Sequence, residues 1–379
     1  MKILLFGEYS GFFNQLKNGL IKNNCKVTLA ARQDGFKNYD LDINLDAKYL
    51  RKNPLNYLRQ LIYRLTTYDC AGLEIYYNFW KQKALFKDYD AVLLINPFPL
   101  QTHQKLEKKI LNYIFKHNKN VILSACGDDY QYINFLETQH LPYTILDPLK
   151  ENPSLKKFYL DAVKYKTKAH KSLHKFVIKH CKGVITADMD YDMAYKNESK
   201  YLGYIPFPVS IEKLSYNPMN SFDKIVIFHG INKLNYYKKG NHIFDEALTI
   251  IKNKYKDKVD ILRTENVSYS TYIESYNKTH IVLDQVYSYS QGYNALESMA
   301  KGKVVFSGAE KEWLEHFNIE KNTLLINTKP DVDYLVQKLS ELVDEPEKMT
   351  LITKKARAFV KEQHNDNVIA KKYLSFLKN

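Results

Sequence analysis

The stretch from Ile281 to Gly308 constrains the fold more than any other part of the chain. Three apolar residues (Ile281, Val282, Leu283) are followed by a polar, turn-rich segment over Asp284–Tyr293. A helical run over Asn294–Lys301 and a second apolar strand over Val304–Ser307 complete it. Ala295, Leu296, Met299 and Ala300 give the helix a packing face, so only its start and one flank are left for polar work. Gly302 stands where a left-handed residue usually closes a helix. Gly292 lies just ahead of the helix start, where the lack of a Cβ lets a ligand approach the backbone. The first turn of a helix presents amides and the positive end of its dipole, which suits an anion such as a phosphate. Glu297, one turn on, is placed to accept hydrogen bonds from sugar hydroxyls beside that phosphate. The stretch has the parts of a nucleotide-diphosphate site; an ordinary strand–helix–strand unit is the plain alternative.

A chain of 379 residues is too long for one ordinary core and fits two domains. The expected division is residues 1–215 and 216–379, with a proline-rich crossing through Pro206, Pro208 and Pro218. The first series opens with a strand at Lys2–Phe6, a helix at Phe12–Asn23 and a strand at Val27–Ala31. Its glycines, Gly7 and Gly11, lack the dinucleotide spacing, so hydride transfer is weakly supported. Residues 47–87 read as helical. Ala91–Ile95 is almost wholly apolar, as a central parallel strand must be. Helix Gln104–His117 leads to strand Val121–Ser124, which delivers Asp128 and Asp129 at its carboxyl end, where open α/β sheets bind ligands. These two aspartates are candidates for acceptor binding or for a general base, or one of them caps the next helix. Gly183–Asp188 reads as the last strand of this half. Asp188, Asp190 and Asp192 form a D-x-D run, but further triplets begin at Asp40, Asp88 and Asp331, so the pattern discriminates little and no metal is assigned.

The second series begins with strand Lys224–Phe228, ending in His229, Gly230, Ile231 and Asn232. Lys238, Lys239 and Gly240 then open a helix over Asn241–Lys252. Strand Val259–Leu262 leads to Arg263 and Glu265, where a nucleobase could be met, and a short helix is expected over Tyr269–Asn277. Beyond Gly308 the pattern gives helix Glu310–Phe317, strand Thr323–Ile326, helix Val332–Leu342 and one long helix over Pro346–Leu377 that packs back on the first half.

Composition is globular, with 45% apolar and 26% charged residues. No run approaches the ~20 apolar residues of a membrane span. The opening residues read as a strand and not as a signal peptide, and Cys25, Cys70, Cys126 and Cys181 lack metal or redox spacing. Together these point to a cytoplasmic protein with free thiols. The net charge of +14 is uneven: residues 1–215 hold 32 Lys and Arg against 21 Asp and Glu, the rest 24 against 21. Such a half suits anionic partners. From Lys150 to Lys182 ten lysines face two acids, with aromatic residues interspersed. A helix there would be either a solvated surface or an amphipathic contact with an anionic membrane, each lysine contributing about 1 kcal/mol. No nucleic-acid motif is present.

The run around Gly292 resembles the donor site of the two-Rossmann (GT-B) glycosyltransferases, especially the retaining glycosyltransferase family 4, or group 1, enzymes of bacterial surface polysaccharide synthesis. Their pattern is E-G-F-G-x-x-x-x-E-A-M-A-x-G-x-P-V. Gly292, Glu297, Met299, Ala300 and Gly302 match in place, while Tyr289 stands at the first glutamate. Gly230, Lys239 and Gly240 match the family's phosphate-holding segment. Ile231 replaces its arginine, a role open to Lys233 or Lys238.

The resemblance implies an α/β chain of two Rossmann-like domains facing across a cleft. The second half would hold a nucleotide-diphosphate sugar through Gly230, Asn232, Lys239, Gly240, Glu265, Gln291, Gly292, Tyr293, Asn294 and Glu297. The first would hold a glycan or lipid-diphosphate-linked acceptor near Gly11, Asp128 and Asp129, at the inner membrane face, as in capsule or lipopolysaccharide assembly. No cofactor is implied beyond the nucleotide-sugar co-substrate. Glu297 would hold the ribose, and Lys239 with the helix amides would stabilise the leaving diphosphate. Retention without a metal is the implied outcome; an inverting enzyme would need Asp128, Asp129 or His229 as its base. A nucleotide-sugar 2-epimerase and a silent glycan- or membrane-binding protein on the same fold are the alternatives.

Overall fold

A computed structural model of the protein describes residues 1–33, 39–66, 68–219, 221–267 and 274–378. The first sheet is built from β1 (Lys2–Phe6), β2 (Lys26–Ala31), β3 (Ile43–Asn44), β4 (Ala91–Leu94), β5 (Val121–Ala125), β6 (Gly183–Thr186) and β7 (Tyr201–Tyr204). Its order is β3-β2-β1-β4-β5-β6-β7. The second sheet contains β8 (Ile225–Ile231), β9 (Val259–Glu265), β10 (Ile281–Leu283), β11 (Val304–Ser307) and β12 (Ile326–Asn327), in the order β12-β11-β10-β8-β9. Each pair among the described strands is parallel. Parallel pairing explains why Ala91–Leu94 and Ile281–Leu283 are buried throughout, since helices cover both faces. The chain is thus α/β with two Rossmann-like sheets. Strand order reverses between β1 and β4 and again between β8 and β10, and each reversal opens a crevice at the carboxyl ends.

Three expectations change. The strand expected at Gly183–Asp188 is not the last of the first half: β7 follows, and its partly exposed Tyr-Leu-Gly-Tyr lacks the apolar signature of a central strand. The helical region over 47–87 is two helices, Leu55–Thr66 and Ala71–Lys81, with a 3₁₀ turn at Lys83–Phe86. The long last helix is divided into Lys348–Gln363 and Asp366–Leu377. The break comes where Val209 inserts between the flanking peptides, its amide donating to His364 at 2.6 Å and its carbonyl accepting from Asp366 at 3.1 Å. Asn365 then caps the new helix by accepting from the Asn367 amide.

The second of these helices does pack on the first half. Tyr373 meets Ser124 of β5 at 2.7 Å, and Asp366 pairs with Lys22 at 2.8 Å. The short helix expected over Tyr269–Asn277 lies outside the described residues except for 274–277, which are helical. In the lysine-rich stretch, helix Lys168–His180 buries His170, Leu173, His174 and Val177. Its apolar face is spent on the first domain's own core, and what it shows to solvent is the lysines.

Candidate functional site at the second switch point

Asp284 directly follows β10 and organises the crevice beside β8. Its carboxylate is buried and accepts from Ser307 Oγ at 2.9 Å, Asn294 Nδ2 at 3.0 Å and Lys239 Nζ at 3.0 Å. Lys239 arrives there because Gly240 turns the chain in the left-handed region (φ 73°) into helix Asn241–Tyr255. A Cβ on Gly240 would stand 2.6 Å from Val286 Cβ, so only glycine allows this approach. The Val286 amide then donates to the Lys239 carbonyl at 2.8 Å. Two of the expected donor-site residues, Lys239 and Asn294, therefore converge on a single carboxylate oxygen. Sequence reading missed Asp284; its position at the carboxyl end of a buried strand was the available signal.

Gly292 is the N-cap of helix Tyr293–Ala300, with extended backbone and no side-chain cap. Nothing lies within 4 Å of where its Cβ would be, so the space ahead of the first turn is open. Around it the chain is fixed. Gln291 Nε2 donates to the Gly308 carbonyl at 2.7 Å, and Tyr293 Oη donates to the Pro208 carbonyl at 3.0 Å. Glu297 is half-buried one turn on. Gln291 and Tyr293 thus shape the loop and the joint between the halves, while Gly292, Asn294 and Glu297 occupy the helix start and its flank.

The loop ahead of Gly292 is held from the first half. Asp190 accepts from Ser288 Oγ at 3.0 Å and from the Tyr289 and Ser290 amides at 3.0 and 3.3 Å. Asp188 accepts from Ser290 Oγ at 2.6 Å. Burial raises the pKa of both carboxyls, and the nearby Asp188 charge raises that of Asp190 further. Asp192 turns elsewhere, accepting from Thr186 Oγ1 at 2.6 Å and from Tyr201. The D-x-D run is therefore a structural clamp whose members diverge. Among the described residues no three His, Cys, Asp or Glu converge as metal ligands.

The remaining candidates scatter. Asp129 is buried, caps helix Tyr130–Thr138 through the Tyr132 amide at 2.8 Å, and accepts from Tyr195 Oη. Burial pushes its pKa up to about 6. Asp128 is partly exposed and reaches across to Lys238 Nζ at 2.5 Å, joining the two halves beside the crevice. His229 is fully buried between Asn241 Oδ1 at 3.0 Å and Asp245 Oδ1 at 3.2 Å. Burial disfavours the charge on Asp245, yet hydrogen bonds from His229, Arg263 and Tyr236 hold its pKa below the ordinary value. His229 is thereby part of the β8–helix packing.

Gly230 lies on β8 opposite Thr264. Asn232 caps the 3₁₀ turn Lys233–Asn235 by accepting from the Leu234 amide. Glu265 is held by Lys233 and Arg263, both at 2.6 Å. Gly11 (φ 91°) starts helix Phe12–Lys22 at the first switch point, where its amide donates to the buried Glu8 carboxylate at 2.9 Å. Glu8 was not anticipated. Tyr289, at the place of the family's first glutamate, is buried, and its hydroxyl donates to the Tyr143 carbonyl at 3.2 Å.

Residues 234–375 match the family model described as glycosyl transferase-like. No curated protein matches the chain. Among solved structures, sucrose-phosphate synthase from Thermosynechococcus elongatus superposes with a TM-score of 0.63 at 12% identity, covering 100% of this chain and 98% of that one. HepE from Anabaena, solved with UDP and glucose, gives 0.55 at 11%, with 100% and 99% covered. An α-glucosyltransferase solved with UDP and a DNA 13-mer gives 0.56 at 13%, with 100% and 99% covered. The family match lies within the second half, and over its whole length the chain shares the two-Rossmann (GT-B) fold of these structures.

Proposed function

We propose that the protein transfers a sugar from a nucleoside-diphosphate donor, bound at the β8–β10 crevice, to a glycan or lipid-linked glycan held mainly by residues 1–215. The observation that carries this reading is the convergence of Lys239 and Asn294 on Asp284, beside the open first turn after Gly292. An ammonium group and helix amides at one crevice suit a diphosphate leaving group, and together they stabilise the charge that develops as the glycosidic bond breaks. UDP in the α-glucosyltransferase and HepE structures supports a nucleoside diphosphate as the class of donor. Glu297 takes the ribose in this reading, and Glu265 lies toward the base. Retention at the anomeric carbon without a metal is part of the proposal, as is a place in surface polysaccharide assembly. The lysine face of residues 150–182 is the surface through which the first half would attract an anionic acceptor.

Thermal-shift and calorimetric titration with uridine, guanosine and cytidine diphosphates tests the reading. One of the three should stabilise the protein; binding by none overturns it. The buried Tyr289 supports a second reading, donor binding without turnover, because its hydroxyl is committed to Tyr143 and supplies no carboxylate to the sugar. Release of free nucleoside diphosphate only when an acceptor glycan is added separates transfer from silent binding and from a 2-epimerase.

A further inference from the structure

Helix Leu55–Thr66 has no buried residue among its twelve. Leu55, Leu58, Leu61 and Leu65 recur at helical spacing and are 45%, 55%, 53% and 77% exposed. Nothing among the described residues covers this stripe, although the helix is amphipathic. From 47 to 66 the chain carries Lys48, Arg51, Lys52, Arg59 and Arg64 and no acid. Arg51 and Arg59 pair with Asp46 and Asp69, each at 2.8 Å, which anchors the segment. Lys52 and Arg64 have no ion pair among the described residues. Exposed tyrosines stand beside the leucines, Tyr49 at 73% and Tyr57 at 66%. The helix also borders the lysine-rich segment: burial and the nearby carboxylate of Asp161 raise the pKa of Tyr63, and Leu160 next to Asp161 is 41% exposed.

We propose that helix Leu55–Thr66 docks the protein on an anionic lipid surface, with Leu58, Leu61 and Leu65 entering the acyl boundary and Lys52 and Arg64 meeting headgroup phosphates. Charge and apolarity together select this occupant. A second copy of the chain in a two-fold contact would set a purely cationic segment against itself. Nucleic acid offers phosphates but nothing for an exposed leucine stripe, since backbone binding is ionic. A bilayer interface supplies both partners, and tyrosines favour the same depth. The proposal stands whether or not the protein transfers a sugar.

The test is co-sedimentation of the full-length protein with vesicles of phosphatidylcholine containing phosphatidylglycerol, against pure phosphatidylcholine, at low and high salt. The wild type should bind the anionic vesicles about tenfold or more tightly than the neutral ones. A Leu58→Ser, Leu61→Ser, Leu65→Ser variant should lose about tenfold or more of that binding, with an unchanged thermal melt because all three side chains are more than half exposed. Lys52→Glu with Arg64→Glu should weaken binding to a similar extent at low salt. Failure of the wild type to bind, or undiminished binding of the leucine variant, overturns the proposal. So does binding lost only when lysines between 150 and 182 are replaced. A concentration-dependent dimer that the leucine variant abolishes, without lipid binding, assigns the stripe to a second copy instead.

Discussion

Asp190 and Tyr289, 99 residues apart, meet between the two sheets, the Tyr289 amide donating to the Asp190 carboxylate at 3.0 Å. With Ser288 and Ser290 donating to the same oxygen, one side chain of the first half fixes the loop that leads into Gly292. Asp190→Ala would strand the buried Tyr289 and Ser290 amides, each costing about 1–3 kcal/mol when unpaired, while Ser288 Oγ keeps the Ser290 carbonyl at 2.8 Å. The urea midpoint should therefore fall sharply, and affinity for the nucleoside diphosphate should fall with it. Asp190→Asn keeps an acceptor oxygen, and burial already favours a neutral group there, so its loss should be clearly smaller. Equal stability of Asp190→Ala and wild type would show that the loop holds itself.

Variants at Lys239 and Glu297 should separate the proposed donor binding from folding. Lys239 is one-third exposed while its partner Asp284 is buried, so removing the lysine leaves a carboxylate that Asn294 and Ser307 still satisfy. Lys239→Ala and Glu297→Ala should each weaken diphosphate binding about ten- to a hundredfold, the scale of a charge-assisted contact of about 1.5–3 kcal/mol. Calorimetry measures it. Asp284→Ala should behave differently, lowering stability as well, because it takes the acceptor from Asn294 Nδ2 and the buried Ser307 Oγ.

The sheets were legible because parallel strands covered on both faces read as unbroken apolar runs, as Ala91–Leu94 and Ile281–Leu283 do. β7 escaped because an edge strand with partly exposed tyrosines has no such run. The break at His364–Asn365 was invisible for another reason: it depends on Val209, a residue more than 150 positions away. In the site, Gly240 and Gly292 could be placed from local grammar, since a left-handed turn and a bare helix start are written in adjacent residues. Asp284, Asp188 and Asp190 could not, because their roles come from partners that only the tertiary fold brings near.

Gly19 measures how tightly the last helix is docked. A Cβ there would lie 2.0 Å from the Asp366 carbonyl oxygen and 2.6 Å from its carbon, and backbone cannot move aside as a side-chain tip can. Gly19→Ala should improve local helix propensity by roughly 1 kcal/mol and still destabilise the protein, because overpacking typically costs about 1–3 kcal/mol and here acts on backbone. The urea midpoint should fall. A rise would mean that the helix at Asp366 is loosely seated.

Asp129 offers a test in which stability and chemistry give different answers. Burial raises its folded pKa to about 6 from an ordinary 3.8, so between those values the folded state holds a proton that the unfolded chain has released. Folding stability therefore falls as pH rises through this window and levels off above it. Asn at the same place caps a helix as well as Asp, and its Nδ2, standing where Oδ2 meets Tyr195, donates to that hydroxyl without a charge to bury. Asp129→Asn should flatten the pH dependence and add up to about 3 kcal/mol at neutral pH, read from urea unfolding between about pH 4 and pH 8. Because the carboxylate is committed to the Tyr132 amide and Tyr195, sugar transfer by Asp129→Asn should persist near the wild-type rate. Asp128→Asn, which breaks the pair with Lys238, should instead change KM. A variant at 129 that is more stable yet inactive would identify Asp129 as the base that an inverting reaction requires.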